Sequence, residues 1–315
     1  MTDKTKKQIE EMKKQTFGTE VEMYNITRED AAKLAAKYFG TGRYAYTAHT
    51  DGYQTWSAWD AQGRKWKFCR DCSIRAAMDS QKCEMVTPIL TYDDMETLQE
   101  LIRQLRHAGA KSDPAHMCGV HIHIGADGHT PQTLRNLVNL MASKEDLIIE
   151  ALYLDHARIN HYCRTVDPRF LQEVNAKKPR TMDELADVWY EAQNATIGRN
   201  DHYNDSRYHM LNLHATFTKG TIEFRLFQFN NAHGQYKGGL HAGRMKAYIQ
   251  FCLAVSQMAK QARTINPTVA QRENKKFAMR TWLIRCGFVG EEFNTAMKFF
   301  TQNLPGNAAW RNRVA

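Results

Sequence analysis

The chain has 315 residues, a formal net charge of +9 and a sequence pI near 9.1. No run approaches the roughly 18 uninterrupted apolar residues that a membrane span requires, and the charged N-terminus lacks the apolar segment of a secretory signal. Seven cysteines, an odd number in a large chain, favour free thiols in a reducing compartment. We therefore expect a cytoplasmic globular protein of one large domain or two closely joined ones, without membrane contact.

The excess of basic side chains favours an anionic ligand. Basic residues cluster near the N-terminus and over 260–285. A nucleotide, a polyanionic substrate or nucleic acid would each suit this charge, while a solvated helical surface rich in Lys and Arg is the ordinary alternative. Charge alone is weak evidence for nucleic-acid binding, which we do not expect.

The first part of the chain predicts strands interspersed with helices. Thr27 followed by Asp30 resembles a capping box. In chain order, the pattern predicts a polar helical arm over 1–15, a strand over 16–24, a helix from Thr27 to about Tyr38, a hairpin of aromatic-rich strands over 53–68, a strand over 83–90, a helix over 94–108 and a strand over 119–125.

The second part is more helical. It predicts a helix over 131–154 with Pro131 in its first turn, an irregular stretch over 155–180, a helix opened by Thr181 and Glu184, an ordered loop or lid over 194–209, a hairpin joining 210–217 to 221–229, and mainly helices from 235 onward. These elements predict an α+β fold with a largely antiparallel sheet. We predict an arm (1–15), a catalytic sheet domain (16–234) and a C-terminal helical region packed on it (235–315).

Several predicted strands share an unusual polarity. Side chains two residues apart on a strand point to the same face, and here such positions carry acids, imidazoles, an amide and an arginine, with apolar residues between them. The pairs are Glu20 with Glu22, His121 with His123, Asn212 with His214, and Glu223 with Arg225, while Glu84 lies in the otherwise apolar strand CEMVTPIL.

If these strands belong to one sheet, four carboxylates and two histidines converge. At roughly 4 Å and an effective dielectric near 20, each carboxylate pair repels by about 4 kcal/mol. Bound cations relieve such repulsion, and oxygen-rich ligands select Mg²⁺ or Mn²⁺. Such ions also clamp nucleotide phosphates.

The order of these motifs is specific. FGTEVEMY, CEMVTPIL, CGVHIHIG and NLHATFTKGTIEFRLF resemble the amidoligase family of carboxylate–amine ligases, which is related to glutamine synthetase and glutamate–cysteine ligase. The resemblance runs from about Phe17 to Phe229. It implies a twisted, largely antiparallel sheet like that of glutamine synthetase, with flanking helices, enclosing ATP and two or three divalent cations.

The resemblance also implies roles for individual residues. Arg225 and Arg207 would contact the transferred phosphate or the substrate carboxylate. His121, His123, Asn212 and Lys67 would help to bind the nucleotide. The implied metal ligands are Glu20, Glu22, Glu84, His121 and Glu223.

The implied reaction joins a carboxylate to an amine. ATP phosphorylates the carboxylate, and the amine then attacks the acyl phosphate, because phosphate leaves far more readily than an oxide. The expected partners are small-molecule or peptide carboxylates and amines, such as amino acids or peptidoglycan-like peptides. The oligomeric state is left open.

One segment departs from the family pattern. Relatives carry a Lys-x-Asp-Gly-Ser-like sequence where this chain reads Lys67-Phe-Cys-Arg-Asp71-Cys72-Ser73. Asp71 and Ser73 remain candidates for substrate binding, although Cys72 replaces the glycine and the spacing is longer. The identity of the substrate is therefore open.

Three other functions are alternatives to an amidoligase. Cys69 and Cys72 could form half of a zinc site with Cys83 or Cys118, although buried core cysteines are preferred because a second C-x-x-C is missing. The two histidines of the H-x-H strand could serve a zinc hydrolase, but zinc sites favour histidine and cysteine over a carboxylate majority. The chain could also be a non-catalytic relative that binds nucleic acid or a partner through its basic helices.

Overall fold

The structure is a computed structural model that describes residues 1–48, 52–229, 239–270 and 273–309. The predicted boundary at 234/235 lies outside these residues. The strands are β1 (Phe17–Met23), β2 (Tyr44–Tyr46), β3 (Trp56–Trp59), β4 (Lys65–Cys69), β5 (Cys83–Val86), β6 (Val120–Gly125), β7 (Leu211–Asn212) and β8 (Thr221–Phe227).

Twelve helices occur in the described part of the chain. They are α1 (Asp3–Lys13), α2 (Arg28–Tyr38), α3 (Met95–His107), α4 (Pro131–Ala142), α5 (Glu145–Leu152), α6 (His156–His161), α7 (Pro168–Lys177), α8 (Met182–Ala192), α9 (His214–Lys219), α10 (Ala242–Gln261), α11 (Lys275–Arg285) and α12 (Asn294–Thr301). Within those same described residues, none of the helices has the length and apolar character needed to cross a bilayer.

The chain forms two compact units. The sheet unit consists of Thr16–Ile122 and Phe227–Lys246, and the helical unit of Met1–Gln15, His123–Leu226 and Ala247–Ala315. The boundary falls inside β6, after Ile122. The predicted division into arm, sheet domain and C-terminal region stays a prediction.

The sheet unit contains the strand order β2-β3-β4-β5-β1-β6, with β6 contributing its first half. The pairs β2/β3, β3/β4, β4/β5 and β5/β1 are antiparallel. The alternating pattern buries one face completely, through Val21, Met23, Trp66, Phe68 and Met85. Each such side chain contributes about 1.5–3 kcal/mol of hydrophobic stabilisation. The opposite face therefore receives the polar positions of the same strands.

Two helices belong to the core of the sheet unit. Helix α2 packs on β3 and β4 through a stripe of four buried alanines. Thr27 caps it, accepting a hydrogen bond from the Asp30 N–H at 3.0 Å, as predicted. Helix α3 contacts α2 and buries Leu98, Leu101 and Leu105 on its apolar face. The small alanine side chains allow the α2 backbone to approach the sheet closely.

The helical unit contains the second half of β6 followed by β8 and β7 in strand order. Strand β7 is antiparallel to β8, with Asn212 opposite Glu223. Helices α4, α5, α7, α8, α11 and α12 pack in neighbouring pairs. The predicted helix start at Thr181 and Glu184 is confirmed, and the two residues form a capping box there. The predicted combination of helices with a largely antiparallel sheet is confirmed at this level.

The predicted helix over 131–154 is wrong in one respect, because it consists of two helices. The Ser143 hydroxyl donates to the Leu140 carbonyl at 2.9 Å at the end of α4. Lys144 then leaves helical geometry at φ −135°, and α5 starts at Glu145. Local capping thus interrupts a continuous apolar pattern.

The predicted irregular stretch over 155–180 is also wrong, since it contains α6 and α7. The carboxylates of Asp155 and Asp167 each accept a backbone N–H and so cap these helices. Pro168 occupies the first position of α7, which suits a residue without an N–H group. The Asp-Pro pair was the available signal for this helix.

The second predicted hairpin is only partly correct, because Asn212 and His214 do not continue one strand. The Asn212 Oδ1 atom accepts the backbone N–H of His214 at 2.9 Å, which turns the chain. Leu213 then has φ −88° and ψ −12°, and α9 begins at His214. The shared face predicted for these two side chains is therefore wrong. The short side chain of asparagine competes with the ladder bonds that an extended strand needs.

One strand is shorter than predicted, and another was not predicted. Strand β5 ends at Val86, although the backbone of Leu90 still pairs with Phe17. Strand β2 was not predicted at all. Its three residues Tyr44–Tyr46 pair with β3 and present no alternation that a short window can reveal.

Candidate functional site

The sheet unit gathers four of the predicted residues on its polar face. Glu20 and Glu22 lie two positions apart on β1, and Glu22 is directly opposite Glu84 on β5. His121 on β6 lies between the two β1 acids, with Nδ1 3.0 Å from Glu20 Oε2 and Nε2 3.8 Å from Glu22 Oε1. The predicted convergence of these residues within the sheet unit is therefore observed.

Burial increases the electrostatic repulsion between these carboxylates, because water screens it less. Glu22 and His121 are each only 5% exposed, while Glu20 and Glu84 are half-buried. The backbone N–H of Gly119 donates to Glu22 Oε2 at 2.5 Å. A backbone donor stabilises an ionised carboxylate but does not cancel its charge. The cluster therefore has the character of a cation site.

Two sets of side chains in the sheet unit could each hold a metal ion. One is Glu20, Glu84 and His121, and the other is Glu22, Asp71 and Glu84; within each set one ligand atom per residue lies within 4.8 Å of the others. Carboxylate oxygens predominate, which is the donor set of Mg²⁺ and Mn²⁺ rather than of zinc. Glu84 is shared by the two sets.

Asp71 was predicted to bind substrate, and its position gives it a second possible role as a metal ligand. Its Oδ1 atom accepts the backbone N–H of Ser73 at 2.7 Å, so the two residues form one local turn. No sequence signal marked Asp71 as a metal ligand, because it follows β4 while its neighbours in the cluster lie on β1 and β5. Only the register of the sheet brings it there.

Lys67 lies on the same face of the sheet unit. It is opposite Val86 on β5, and Val86 is opposite Glu20 on β1. Directly paired residues share a face, so Lys67 is on the side of the acids, with its side chain exposed. A long exposed cation on this face suits an anionic ligand.

The helical unit gathers a second set around Glu223. Arg225 Nη1 donates to Glu223 Oε1 at 2.5 Å, and Asn212 Nδ2 donates to Oε2 at 2.7 Å. His123 Nε2 lies 3.8 Å from Glu223 Oε1, and its Nδ1 lies 3.0 Å from the Thr221 hydroxyl. Four predicted residues therefore meet here. Thr221, which orients the imidazole, was missed because a threonine on a strand carries no distinctive signal.

The side chains of two arginines lie close to the Tyr208 ring in the same unit. The guanidinium carbons of Arg207 and Arg225 are each 5.8 Å from the centre of the Tyr208 ring. Arg225 also donates to the carbonyl of Tyr162 at 3.4 Å, and Arg207 donates to the carbonyl of His202 at 2.9 Å. The roles predicted for Arg207 and Arg225 in binding phosphate or a carboxylate stay predictions. The proximity of both guanidinium groups to Tyr208 was not predicted.

His214, placed on the polar face by the sequence pattern, has a different role. Its Nδ1 lies 2.7 Å from the Tyr190 hydroxyl on α8, and the ring is buried. Burial lowers the pKa of His214 below its ordinary value, which keeps the ring neutral. His214 therefore helps to join α8 and α9.

Carboxylates gathered with an imidazole on the polar face of an antiparallel sheet form a candidate site for hard divalent cations. The chain belongs to the amidoligase family, because the family described as "Putative amidoligase enzyme" matches residues 13–256. The family resemblance predicted from the sequence motifs is confirmed.

Among solved structures, this chain is similar in fold to an enzyme from a bacterium. It is described as a bifunctional glutathione synthetase from Pasteurella multocida, with 13% identity and a TM-score of 0.42, over 96% of this chain and 49% of that chain. The present chain thus spans about half the length of that protein. A search of curated proteins gives no match.

Proposed function

We propose that this amidoligase is an ATP- and Mg²⁺-dependent (or Mn²⁺-dependent) carboxylate–amine ligase that acts through an acyl phosphate. The observation that supports this best is the acidic cluster of the sheet unit, formed by Glu20, Glu22, Glu84 and His121. Membership of the amidoligase family supplies the reaction class. A sheet like that of glutamine synthetase and a cytoplasmic setting belong to the same proposal.

The residues present fit divalent cations. In each candidate set the ligand atoms lie within 4.8 Å of one another; one set has two carboxylates and one imidazole, and the other has three carboxylates. Two ionised carboxylates at this distance repel by about 3 kcal/mol at an effective dielectric near 20. Bound Mg²⁺ would neutralise charge on the phosphates of ATP. The proposed ligands are Glu20, Glu22, Glu84 and His121, with Asp71 as an addition to the predicted set.

The other residues take roles according to their charge. Arg225 and Arg207 would bind the transferred phosphate or the substrate carboxylate. Lys67, His123 and Asn212 would help to bind the nucleotide, and His121 would contribute to that as well. Asp71 and Ser73 would bind substrate, and Glu223 keeps its predicted role as a metal ligand.

The substrate carboxylate must be activated because its oxygen is a poor leaving group. Transfer of the γ-phosphoryl group to that oxygen makes an acyl phosphate, and attack by an amine then forms the amide and releases phosphate. Arginine side chains stabilise the charge that spreads over the transferred group. The proposed substrates are amino acids, peptides or peptidoglycan-like peptides with a free carboxylate, together with an amine.

A phosphate-release screen tests this function. Candidate carboxylates are paired with amines in the presence of ATP and Mg²⁺, and any amide is identified by its mass. Thermal unfolding with ATP, with Mg²⁺ and with both should show stabilisation chiefly when both are present. Stabilisation by DNA alone, without phosphate release, would instead support a non-catalytic nucleic-acid-binding protein.

Replacing Glu22 with alanine tests the site. We expect Glu22→Ala to abolish phosphate release, since it removes a carboxylate from the cluster. The control is Glu96→Ala, which removes an exposed acid on α3 of the same unit and should leave the rate unchanged. A Glu22→Ala protein with the wild-type rate would remove Glu22 from the proposed site.

A further inference from the structure

A loop of the sheet unit carries a histidine–aspartate pair that the roles above leave unused. The loop runs from Asp113 to Gly119 and contains one 3₁₀ turn, Pro114–His116. His116 Nδ1 lies 2.8 Å from Asp113 Oδ1, and the His116 backbone N–H donates to the same oxygen at 3.0 Å. The Nδ1 contact orients the imidazole, and the backbone bond fixes the position of the Asp113 carboxylate that it contacts.

Tyr24 holds the other side of this pair. Its hydroxyl donates to Asp113 Oδ2 at 2.7 Å, and its ring stacks on the His116 imidazole with centroids 3.8 Å apart and an interplanar angle of 16°. Reciprocal backbone bonds between Tyr24 and Lys111 keep the chain extended beyond β1. Residues two apart in an extended chain share a face, so Tyr24 follows Glu20 and Glu22 on the polar face.

The far end of the loop is bonded to the acidic cluster. The Gly119 N–H that donates to Glu22 is three residues from His116. Three residues of extended chain span at most about 11 Å, which limits the distance between the two Cα atoms. The histidine–aspartate pair therefore belongs to the same short loop as the backbone N–H that binds the Glu22 carboxylate. With its side chain 41% exposed, the imidazole is accessible to a small molecule.

The partners of the ring decide which nitrogen can accept a proton. Burial acts to raise the pKa of Asp113, but hydrogen bonds from His116 and Tyr24 outweigh it and hold this pKa below its ordinary value. Asp113 is therefore ionised at neutral pH, and an ionised carboxylate only accepts hydrogen bonds. Nδ1 must carry the hydrogen of this bond, which leaves the lone pair of the neutral ring on Nε2.

We propose that His116 is the general base that deprotonates the amine substrate, and that Asp113 and Tyr24 are its positioning residues. This inference rests on the proposed ligase function. An amine that arrives as R–NH₃⁺ has no lone pair for attack. Nε2 takes one proton, which produces imidazolium and R–NH₂.

The remaining steps conserve atoms and charge. The lone pair of R–NH₂ forms the C–N bond at the acyl carbon. The C–O bond to phosphate breaks with its electron pair, and the second proton lost from nitrogen leaves on the phosphate as hydrogen phosphate. The imidazolium returns its proton to solvent.

Two nucleophiles separate this role from a purely structural one. Ethylamine is protonated at pH 7 and needs a base, whereas hydroxylamine is neutral at that pH and does not. Each would be supplied with ATP, Mg²⁺ and a panel of L-glutamate, L-aspartate and short peptides ending in either. The variants are His116→Gln, Asp113→Asn and the control His107→Gln, which changes an exposed histidine of the same unit. The readouts are phosphate release and the mass of the amide or hydroxamate.

We expect His116→Gln to lower kcat with ethylamine by about 100-fold or more while the hydroxylamine rate stays near that of the wild type. Added imidazole should restore part of the ethylamine rate. Asp113→Asn should show the same selective loss to a smaller extent, and His107→Gln should show none.

Hydroxamate formation by the variant shows that it is folded and that the ligase function stands, whatever happens with ethylamine. An equal loss with both nucleophiles, or an unchanged ethylamine rate, would overturn the role of His116 alone. If the wild type makes no product with any pair, the ligase function fails, and the role of His116 fails with it.

Discussion

Replacing Glu84 with glutamine removes one charge from the acidic cluster at nearly constant size. Glu84 belongs to both candidate metal sets and is directly opposite Glu22. One carboxylate pair at 4.8 Å corresponds to about 3 kcal/mol of repulsion at an effective dielectric near 20. Glu84 is half-buried, so solvent screening reduces this to about 1 kcal/mol. When divalent ions are chelated, the Glu84→Gln variant should therefore be more stable than the wild type, with a free energy of unfolding about 1 kcal/mol higher.

In the presence of magnesium, the wild type should instead be more stable than the Glu84→Gln variant. An ion that binds only the folded protein stabilises it by RT ln(1 + [L]/Kd), which is about 2.7 kcal/mol at 100 times Kd. The variant lacks a carboxylate shared by two sets, so its affinity and its gain in stability are smaller. A difference of 1 kcal/mol corresponds to a change in Tm of about 2 °C for a chain of this size.

The assay is thermal and urea unfolding of both proteins in EDTA and in a series of magnesium concentrations. Glu10→Gln is the control, because it makes the same change in net charge at an exposed position on α1. It should neither stabilise the protein in EDTA nor alter the response to magnesium. If Glu84→Gln is less stable than the wild type in EDTA and responds equally to magnesium, then Glu84 is not part of a cation site.

Two further predictions concern buried charges in the helical unit. Burial raises the pKa of Glu145 from 4.5 to about 7, so the folded state holds this proton more tightly and the free energy of unfolding falls by about 3 kcal/mol as the pH rises from 4.5 to 7. Glu145→Gln should remove this fall in urea unfolding measured across that range; an unchanged slope would assign the titration to another group. Arg225→Ala should cost about 3–5 kcal/mol, because it removes the cation bonded to buried Glu223, whereas Arg225→Lys keeps the charge and should cost less. Equal urea midpoints for the two Arg225 variants would contradict this account.

The sequence alone determined the elements whose pattern is local. The alternation of Glu20, Val21, Glu22 and Met23 specifies which side of β1 is polar, because side chains on a strand alternate by geometry. Helix starts such as Thr27 and Thr181 were predictable for the same reason, since a cap acts within three residues. The family motifs also lie within continuous segments, so the sequence alone identifies the acidic residues of the candidate site.

Other features depended on local competition that a pattern does not reveal. Asn212 and His214 have the spacing of a strand, but the Asn212 side-chain oxygen accepts the backbone N–H of His214, where α9 starts. Ser143 likewise separates α4 from α5 within one apolar stripe. In both cases a single side-chain hydrogen bond outweighs the periodicity of many residues.

Only the tertiary structure decided which distant segments meet. The register that places Glu22 opposite Glu84, and brings Asp71 to both, follows from packing the apolar faces of β1, β4 and β5 together. The contact of Tyr24 with Asp113 joins residues 89 positions apart. No periodicity reports such a contact, because it is set by how the whole core is filled and not by the residues themselves.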